Sequence, residues 1–202
     1  VTDIGIDMIG FIFYPQSPRY IGSYPAIPQR TCAVKPFRVG VFVNAPLEQM
    51  IEIAQSYSLD YLQLHGNESP DTCYALQKRG FAIIKSFPIA TEKDLEATSY
   101  FENSCDYFLF DTKCPDYGGS GRIFDWSILS SYKGETPFLL SGGITPDTID
   151  AIYQFKHTRW AGIDLNSGFE IAPAQKDIKK LQSFIKSLQE KEFTKNIKRR
   201  TI

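Results

Sequence analysis

Asp111 follows Phe108-Leu109-Phe110, so a carboxylate stands at the end of an apolar run, with Thr112-Lys113 beyond it. If that run is a strand covered on both faces, the side chain is partly shielded from water, a setting that suits a general acid. A carboxylate paired with Lys113 or capping a following helix is the plainer alternative. The segment Tyr117-Gly118-Gly119-Ser120-Gly121 reads either as a lid or as a long turn. Two other places invite an anion: Ser141-Gly142-Gly143-Ile144 and Asn166-Ser167-Gly168-Phe169. Glycines there let backbone N–H groups approach phosphate oxygens, and a helix start just beyond adds favourable partial charge. Each glycine motif alone is a weak signal, and Gly142-Gly143 can be simply a tight strand-to-helix turn. Arg19, in Ser17-Pro18-Arg19-Tyr20, offers a guanidinium to a carboxylate, or is simply a surface arginine. His65, in Gln63-Leu64-His65-Gly66, reads as lining or hydrogen-bonded structure rather than a proton carrier, because nothing nearby in sequence orients it. His157 precedes a strand and receives no role.

These residues need a scaffold that gathers them, and the hydrophobic pattern supplies one. Apolar runs recur at Met8–Phe13, Arg38–Val43, Tyr61–His65, Phe81–Phe87, Tyr107–Asp111, Pro137–Gly142 and Gly162–Asn166. Their near-continuous apolar character is that of parallel strands covered by helices. Between them lie helical faces: Leu47, Met50, Ile51 and Ala54, and near the end Ile178, Leu181, Ile185 and Leu188. Ser69-Pro70-Asp71 and Thr145-Pro146-Asp147 each combine a capping hydroxyl, a first-turn proline and a carboxylate, with Asn44-Ala45-Pro46-Leu47 a weaker version. Ser17–Pro36, with four prolines, reads as a long loop containing at most a short helix.

Alternating strands and helices predict a parallel α/β sheet. No G-x-G-x-x-G follows a strand and no G-x-x-x-x-G-K-[ST] occurs, which removes the usual support for dinucleotide or nucleoside-triphosphate binding. Seven strands fall one short of a closed eight-stranded barrel. Three share a lead-in ending in aspartate: Gly5-Ile6-Asp7, Ser58-Leu59-Asp60 and Ser104-Cys105-Asp106. Before the second and third of these a helix ends, so Val1–Ile4 reads as the tail of a helix whose own strand lies earlier. The expected fold is therefore a (β/α)8 TIM barrel whose first β-strand and most of whose first helix are absent from this chain. The expected domain is a single one over 1–202, N-terminally incomplete by roughly 25 residues, the size of one βα unit. In such barrels function gathers at the C-terminal strand ends, with phosphate held by the loops after strands seven and eight, here the two glycine segments.

The 202 residues, 43% hydrophobic and 22% charged, fit one soluble domain, and a net charge of −1 favours neither nucleic acid nor membrane as partner. No apolar stretch approaches the ~20 residues of a membrane-spanning helix. Lys191, Lys195, Lys198, Arg199 and Arg200 make a basic tail, read as a solvated helix end. Cys32, Cys73, Cys105 and Cys114 form no C-x-x-C pair and read as reduced thiols of a cytoplasmic protein.

Several segments, in order, resemble the phosphoribosylanthranilate isomerase family. Gly10-Phe11-Ile12-Phe13-Tyr14-Pro15 with Ser17–Tyr20 resembles its second-strand signature; Arg38–Asn44 and Gln63–Gly66 are similar to the next two. Asp111-Thr112-Lys113 through Gly121, then Phe124-Asp125-Trp126, resembles the sixth, and Leu140–Ile144 and Asp164–Glu170 complete the set. The likeness runs from the first residues to about Leu188. It implies an Amadori rearrangement in tryptophan biosynthesis, without metal or organic cofactor. N-(5-phosphoribosyl)anthranilate is the small-molecule substrate it implies. By position, the resemblance implies Asp111 as the general acid and Arg19 as the holder of the anthranilate carboxylate. Gly142, Gly143, Asn166, Ser167 and Gly168 would hold the phosphate, with Asn166 standing where the family often has a serine. The family's cysteine base belongs to a Lys-x-Cys-Gly segment of the first strand, which this sequence does not contain, so the base is transferred to no cysteine here. The chain as it stands is then expected not to turn over substrate. Assembly is expected to be a monomer or homodimer. The alternatives are a non-catalytic barrel that binds a phosphorylated ligand, or another sugar-phosphate enzyme of the same fold. A ribulose-phosphate epimerase would need more metal-ligating histidines than the two present.

Overall fold

A computed structural model of the protein describes residues 4–22, 36–112 and 125–200, with side chains as far as Glu190. The Tyr117–Gly121 segment, Lys113, Cys32, Cys114 and the basic tail's side chains lie outside what is described. Seven parallel strands follow one another in sequence order: β1 (Met8–Ile12), β2 (Phe37–Phe42), β3 (Tyr61–Leu64), β4 (Ala82–Ile89), β5 (Tyr107–Thr112), β6 (Phe138–Leu140) and β7 (Trp160–Ile163). Each pairs only with its neighbours, and β1 and β7 remain open edges. This is the strand order of a (β/α)8 barrel; among the described residues, no strand fills the position between β7 and β1 that would close the ring.

The seven apolar runs all become strands, with one shift: β7 starts at Trp160 and ends at Ile163, earlier than the Gly162–Asn166 run. Asp164 to Gly168 are thereby freed from the sheet to shape the rim. Among the described residues there are four α-helices: α1 (Leu47–Tyr57), α2 (Pro70–Gln77), α3 (Ile149–Gln154) and α4 (Ile178–Arg200). After β4 and β5 the described connections carry 3-10 helices, Glu92–Tyr100 and Trp126–Ser131, where full α-helices were expected.

The capping signals hold in most places. Ser69 Oγ accepts the Thr72 N–H at 3.2 Å and starts α2. Thr145 and Thr148 form a reciprocal cap ahead of α3. Asn44 caps nothing; it adopts a left-handed φ of 51°, and its Oδ1 accepts the Asn67 N–H at 2.7 Å, tying two rim loops together. On α1 the expected face is inward, with Met50 and Ala54 buried. On α4 the buried positions are Leu181 and Phe184; the expected Ile178, Ile185 and Leu188 lie at the margin of that face.

Two apolar layers result. The larger lies between strands and helices, where Phe42, Phe108, Phe110, Phe138, Leu62, Leu64 and Ile83 are fully buried; side chains of this size contribute roughly 1.5–3 kcal/mol each. The smaller fills the inside of the sheet's curve: Val39, Ile84 and Leu109, with Met8, Tyr61, Tyr107 and Leu139 against them. Side chains alternate between the two layers along each strand. The inward series of β3, β5, β6 and β7 therefore begin apolar or with glycine and end, at the C-terminal edge, in His65, Asp111, Ser141 and Asp164. An apolar plug lies below and a polar mouth above.

The repeated aspartate lead-in also acquires a reason. Asp60 Oδ2 accepts the Arg38 N–H at 2.6 Å, and Asp106 Oδ2 accepts the Ile83 N–H at 2.7 Å. Each locks its strand's start to the preceding strand at the N-terminal rim. His157 sits at this rim too, accepting the Arg159 N–H at 3.0 Å and packing on Phe138. Its lack of a role at the mouth is as expected.

Candidate active site

Asp111 is the penultimate residue of β5, and the alternation that buries Phe108 and Phe110 outward turns it inward. Its Oδ1 accepts the Thr112 N–H at 2.8 Å, and its Oδ2 lies 3.6 Å from His65 Nε2. His65 is itself oriented: its Nδ1 lies 3.0 Å from Gln63 Nε2, two residues earlier on the same strand face. The strand reading of Tyr61–His65 could have found that partner, because i and i+2 share a face on a strand. Gln63 thereby fixes the ring with its Nε2 toward Asp111.

The neighbouring loop packs directly on the acid. Gly142 has φ 82°, and a Cβ on it would stand 2.6 Å from Asp111 Oδ1 and against Thr112 as well. No side chain fits there, so glycine lets the Ser141–Ile144 turn close onto Asp111. Among the described residues, the half-buried Gly142 and Gly143 amides have no protein acceptor. Unclaimed donors of this kind are open to water or an anion. Gly168 approaches the Ile144 carbonyl so closely that a Cβ would collide with it. The two glycine loops are thus pressed against each other, and the first of them lies on Asp111.

Asp164, one residue past β7, accepts a hydrogen bond from Ser141 Oγ at 3.0 Å. Burial, then the nearby Asp111 charge, raises its pKa above the usual carboxylate value; Ser141, Lys176 and His65 oppose this only in part. No sequence signal marks a carboxylate as buried, and none was assigned a role here.

Arg19, in the turn after β1, meets a partner that sequence spacing cannot reveal, 151 residues away. Its Nε lies 3.0 and 2.9 Å from the two Glu170 oxygens, and its Nη2 donates to Glu170 Oε2 at 2.7 Å. The Nε–Nη2 edge is thereby occupied, and a ligand carboxylate would meet the Nη1 side. Glu170 opens a short hairpin, β8 (Glu170–Ala172) and β9 (Gln175–Lys176), in which it faces Lys176. Lys176 donates to Glu170 Oε1 at 3.1 Å, Asn166 Oδ1 at 2.8 Å and the Asn166 carbonyl at 3.1 Å. Burial pushes the Glu170 carboxyl up, but the hydrogen bonds from Arg19 and Lys176 outweigh it, and the net shift is downward. The Asn166 side-chain oxygen is thus engaged by Lys176. Ser167 and Gly168 form a single 3-10 turn after it.

All seven expected site residues therefore lie on the C-terminal edge. Gly142 meets Asp111 directly, and Gly168 meets the end of the same turn at the Ile144 carbonyl; Arg19 is linked to Asn166 through Glu170 and Lys176. The described cysteines do not. Cys73 lies on α2 and Cys105 ahead of β5, both buried in the outer layer. Among the described residues, no three His, Cys, Asp or Glu side chains group as a metal site.

Fold and mouth together define a parallel (β/α)-barrel protein with a carboxylate beside a glycine turn at its C-terminal edge. Comparison with known proteins sharpens the class. The family model for "N-(5'phosphoribosyl)anthranilate (PRA) isomerase" matches residues 1–187, and the chain belongs to this family. It is 59% identical over 190 residues to the N-(5'-phosphoribosyl)anthranilate isomerase of Parabacteroides distasonis, covering 93% of this chain and 86% of that one. The protein of the same name from Phocaeicola vulgatus is 49% identical, with 95% and 91% covered. Among solved structures, phosphoribosyl anthranilate isomerase of Thermotoga maritima superposes with a TM-score of 0.75 at 32% identity, over 93% of this chain and 90% of that one.

Proposed function

We propose that this chain carries the acid and the substrate-binding mouth for the Amadori rearrangement of N-(5'-phosphoribosyl)anthranilate to 1-(2-carboxyphenylamino)-1-deoxyribulose 5-phosphate, a step of tryptophan biosynthesis. The observation that carries the reading is the position of Asp111, half-buried at a strand end and so close to the Gly142 backbone that a Cβ there would stand 2.6 Å from its Oδ1. Family membership supplies the reaction.

Asp111 protonates the ribose ring oxygen. The C1–O bond breaks as the anilino nitrogen lone pair forms a C=N bond, leaving an open-chain Schiff base. Loss of the C2 proton gives an enol, which relaxes to the ketone. The Asp111 carboxylate left by the first step is met by the Thr112 N–H and by His65. Hydrogen moves within one molecule, so the balance requires no external electron acceptor. The base at C2 is assigned to none of the described residues. Arg19 holds the anthranilate carboxylate, and the Gly142–Gly143 and Ser167–Gly168 backbone holds the phosphate. A crystal structure of a family member holds reduced 1-(o-carboxyphenylamino)-1-deoxyribulose 5-phosphate, and the isomerase of Thermotoga maritima is dimeric. This chain takes a small-molecule substrate and acts in the cytoplasm as a monomer or homodimer. No helix among the described residues is long and apolar enough to cross a membrane.

The test is conversion of N-(5'-phosphoribosyl)anthranilate by the purified protein joined to a first βα unit that carries the family's Lys-x-Cys-Gly segment, beside calorimetry with the reduced product analogue. Micromolar or tighter binding that Asp111→Asn preserves while abolishing conversion supports the reading. Absence of binding, or conversion untouched by the substitution, overturns it.

A further inference from the structure

The Arg19–Glu170 pair presents an electrostatic difficulty for the carboxylate site just described. Glu170 is buried, with 5% of its side chain exposed, and takes the Nε–Nη2 edge of Arg19. The pair sums to zero charge. A ligand carboxylate arriving at Nη1 would find donors but no net attraction, and would be brought close to a second carboxylate. The wider mouth makes matters worse, because the Asp111 carboxylate on β5 faces the same opening. A phosphorylated ligand bearing a carboxylate adds further negative charge.

Lys176 changes that sum. It stands across the β8–β9 hairpin from Glu170, with its ammonium 3.1 Å from Oε1 and its side chain 26% exposed. Its three N–H donors face four acceptors, Asn166 Oδ1, the Asn166 and Leu165 carbonyls and Glu170 Oε1. It therefore has no donor left to grip a ligand, and what it offers one is charge. Its field also reaches Asp164, whose ionised form it favours.

We infer that Lys176 is a specificity-determining residue: its charge leaves the Arg19–Glu170 cluster net positive, so that the cluster accepts a second carboxylate from a ligand that carries one. The inference rests on the reading of Arg19 as the carboxylate anchor. Lys176 touches no reacting atom and acts through Glu170 and Arg19.

The experiment compares two ligands by calorimetry on the purified protein: the reduced product analogue, and its counterpart lacking the ring carboxyl group. Both carry the phosphate, so any effect on the phosphate loops cancels in the ratio of their dissociation constants, which measures the preference for the carboxylate. Lys176→Gln, which keeps an amide donor for the Asn166 carbonyl but removes the charge, is expected to cut this preference about tenfold. It should also flatten the preference's dependence on salt. Lys176→Arg, which restores the charge, should hold it within about threefold. The hairpin's exposure makes all of these variants foldable, and thermal melts check this. A purely structural clip predicts the opposite: Lys176→Gln weakens both ligands equally and the preference stands. That outcome overturns the inference. Arg19→Met separates the two levels of the argument. If it leaves the preference intact, the carboxylate site itself is misplaced. If it abolishes the preference while Lys176→Gln does not, only the role of Lys176 fails.

Discussion

The barrel's two ends hold carboxylates of opposite character. At the N-terminal rim Glu102 accepts hydrogen bonds from the Thr136 N–H at 2.9 Å, Thr136 Oγ1 at 2.8 Å, the Glu135 N–H at 3.1 Å and the Tyr132 hydroxyl at 3.1 Å. Asp60 and Asp106 likewise accept backbone N–H groups of the preceding strand. At the C-terminal mouth Asp111 accepts one backbone N–H and faces a histidine at 3.6 Å. A carboxylate whose lone pairs are filled is committed to holding loops together. One left under-coordinated, beside glycines that permit close approach, is free to exchange a proton with a ligand.

The largest expected effect sets the two ends against each other. Asp111→Asn should lower turnover by at least about 100-fold, the scale of a lost general acid, while changing the unfolding midpoint little. Glu102→Ala should do the reverse, costing about 2–3 kcal/mol of stability as several N–H and O–H donors lose their acceptor. Steady-state kinetics and urea unfolding on both variants give four numbers. Equal losses of stability in both would dissolve the distinction.

Position alone does not make the difference, and Glu68 sharpens the point. It lies at the mouth, yet it accepts the N–H of Asn44 at 2.8 Å and of Gly66 at 3.0 Å, and pairs with the buried Lys85 at 3.2 Å. Lys85 also donates to the carbonyls of Leu64, Gly66 and Ser86. Saturation therefore marks Glu68 as structural although it borders the site. Glu68→Ala, which strands the Lys85 charge in the interior, should cost about 3–5 kcal/mol in chemical unfolding. Where the variant remains folded, the pH profile of turnover should keep its shape. A displaced profile would instead put Glu68 in the proton chemistry.

How far these distinctions were legible in the sequence follows from their range. The strands, the rim placement of Asp111 and the two glycine turns are local or periodic, and alternation of period two is enough to aim Asp111 inward. The partners of those residues are not local. Glu170 reaches Arg19 across 151 positions, and Asp164 is buried only because β7 ends at Ile163 and the Ser141 loop closes over it. The pair Gln63–His65 lay within reach of sequence reasoning, since strand alternation puts i and i+2 on one face. The 3-10 segments after β4 and β5 were not, because strong capping residues such as Thr91 and Asp94 mark where a helix starts and say nothing about its hydrogen-bond step.

The smallest effect separates the mouth's own acids by pH. Glu170 titrates below its ordinary 4.5, so it contributes stability that is present above that value and is lost as pH falls through its lowered folded value. Asp164 is raised above 3.8, so the sign reverses: its contribution is fully present below 3.8 and is lost as pH rises through its folded value. Urea midpoints measured from pH 3 to 7 should therefore diverge in opposite directions for the two amide variants. Glu170→Gln should lie closest to wild type at the acid end and fall behind it toward neutrality. Asp164→Asn should gain on wild type over the same span, because an amide forgoes the cost of ionising a buried carboxyl beside Asp111. Parallel curves for Asp164→Asn and wild type would mean that Ser141 and Lys176 fully offset its burial. The mouth would then hold two ionised carboxylates, and Asp111 would have to deliver its proton beside a full negative charge.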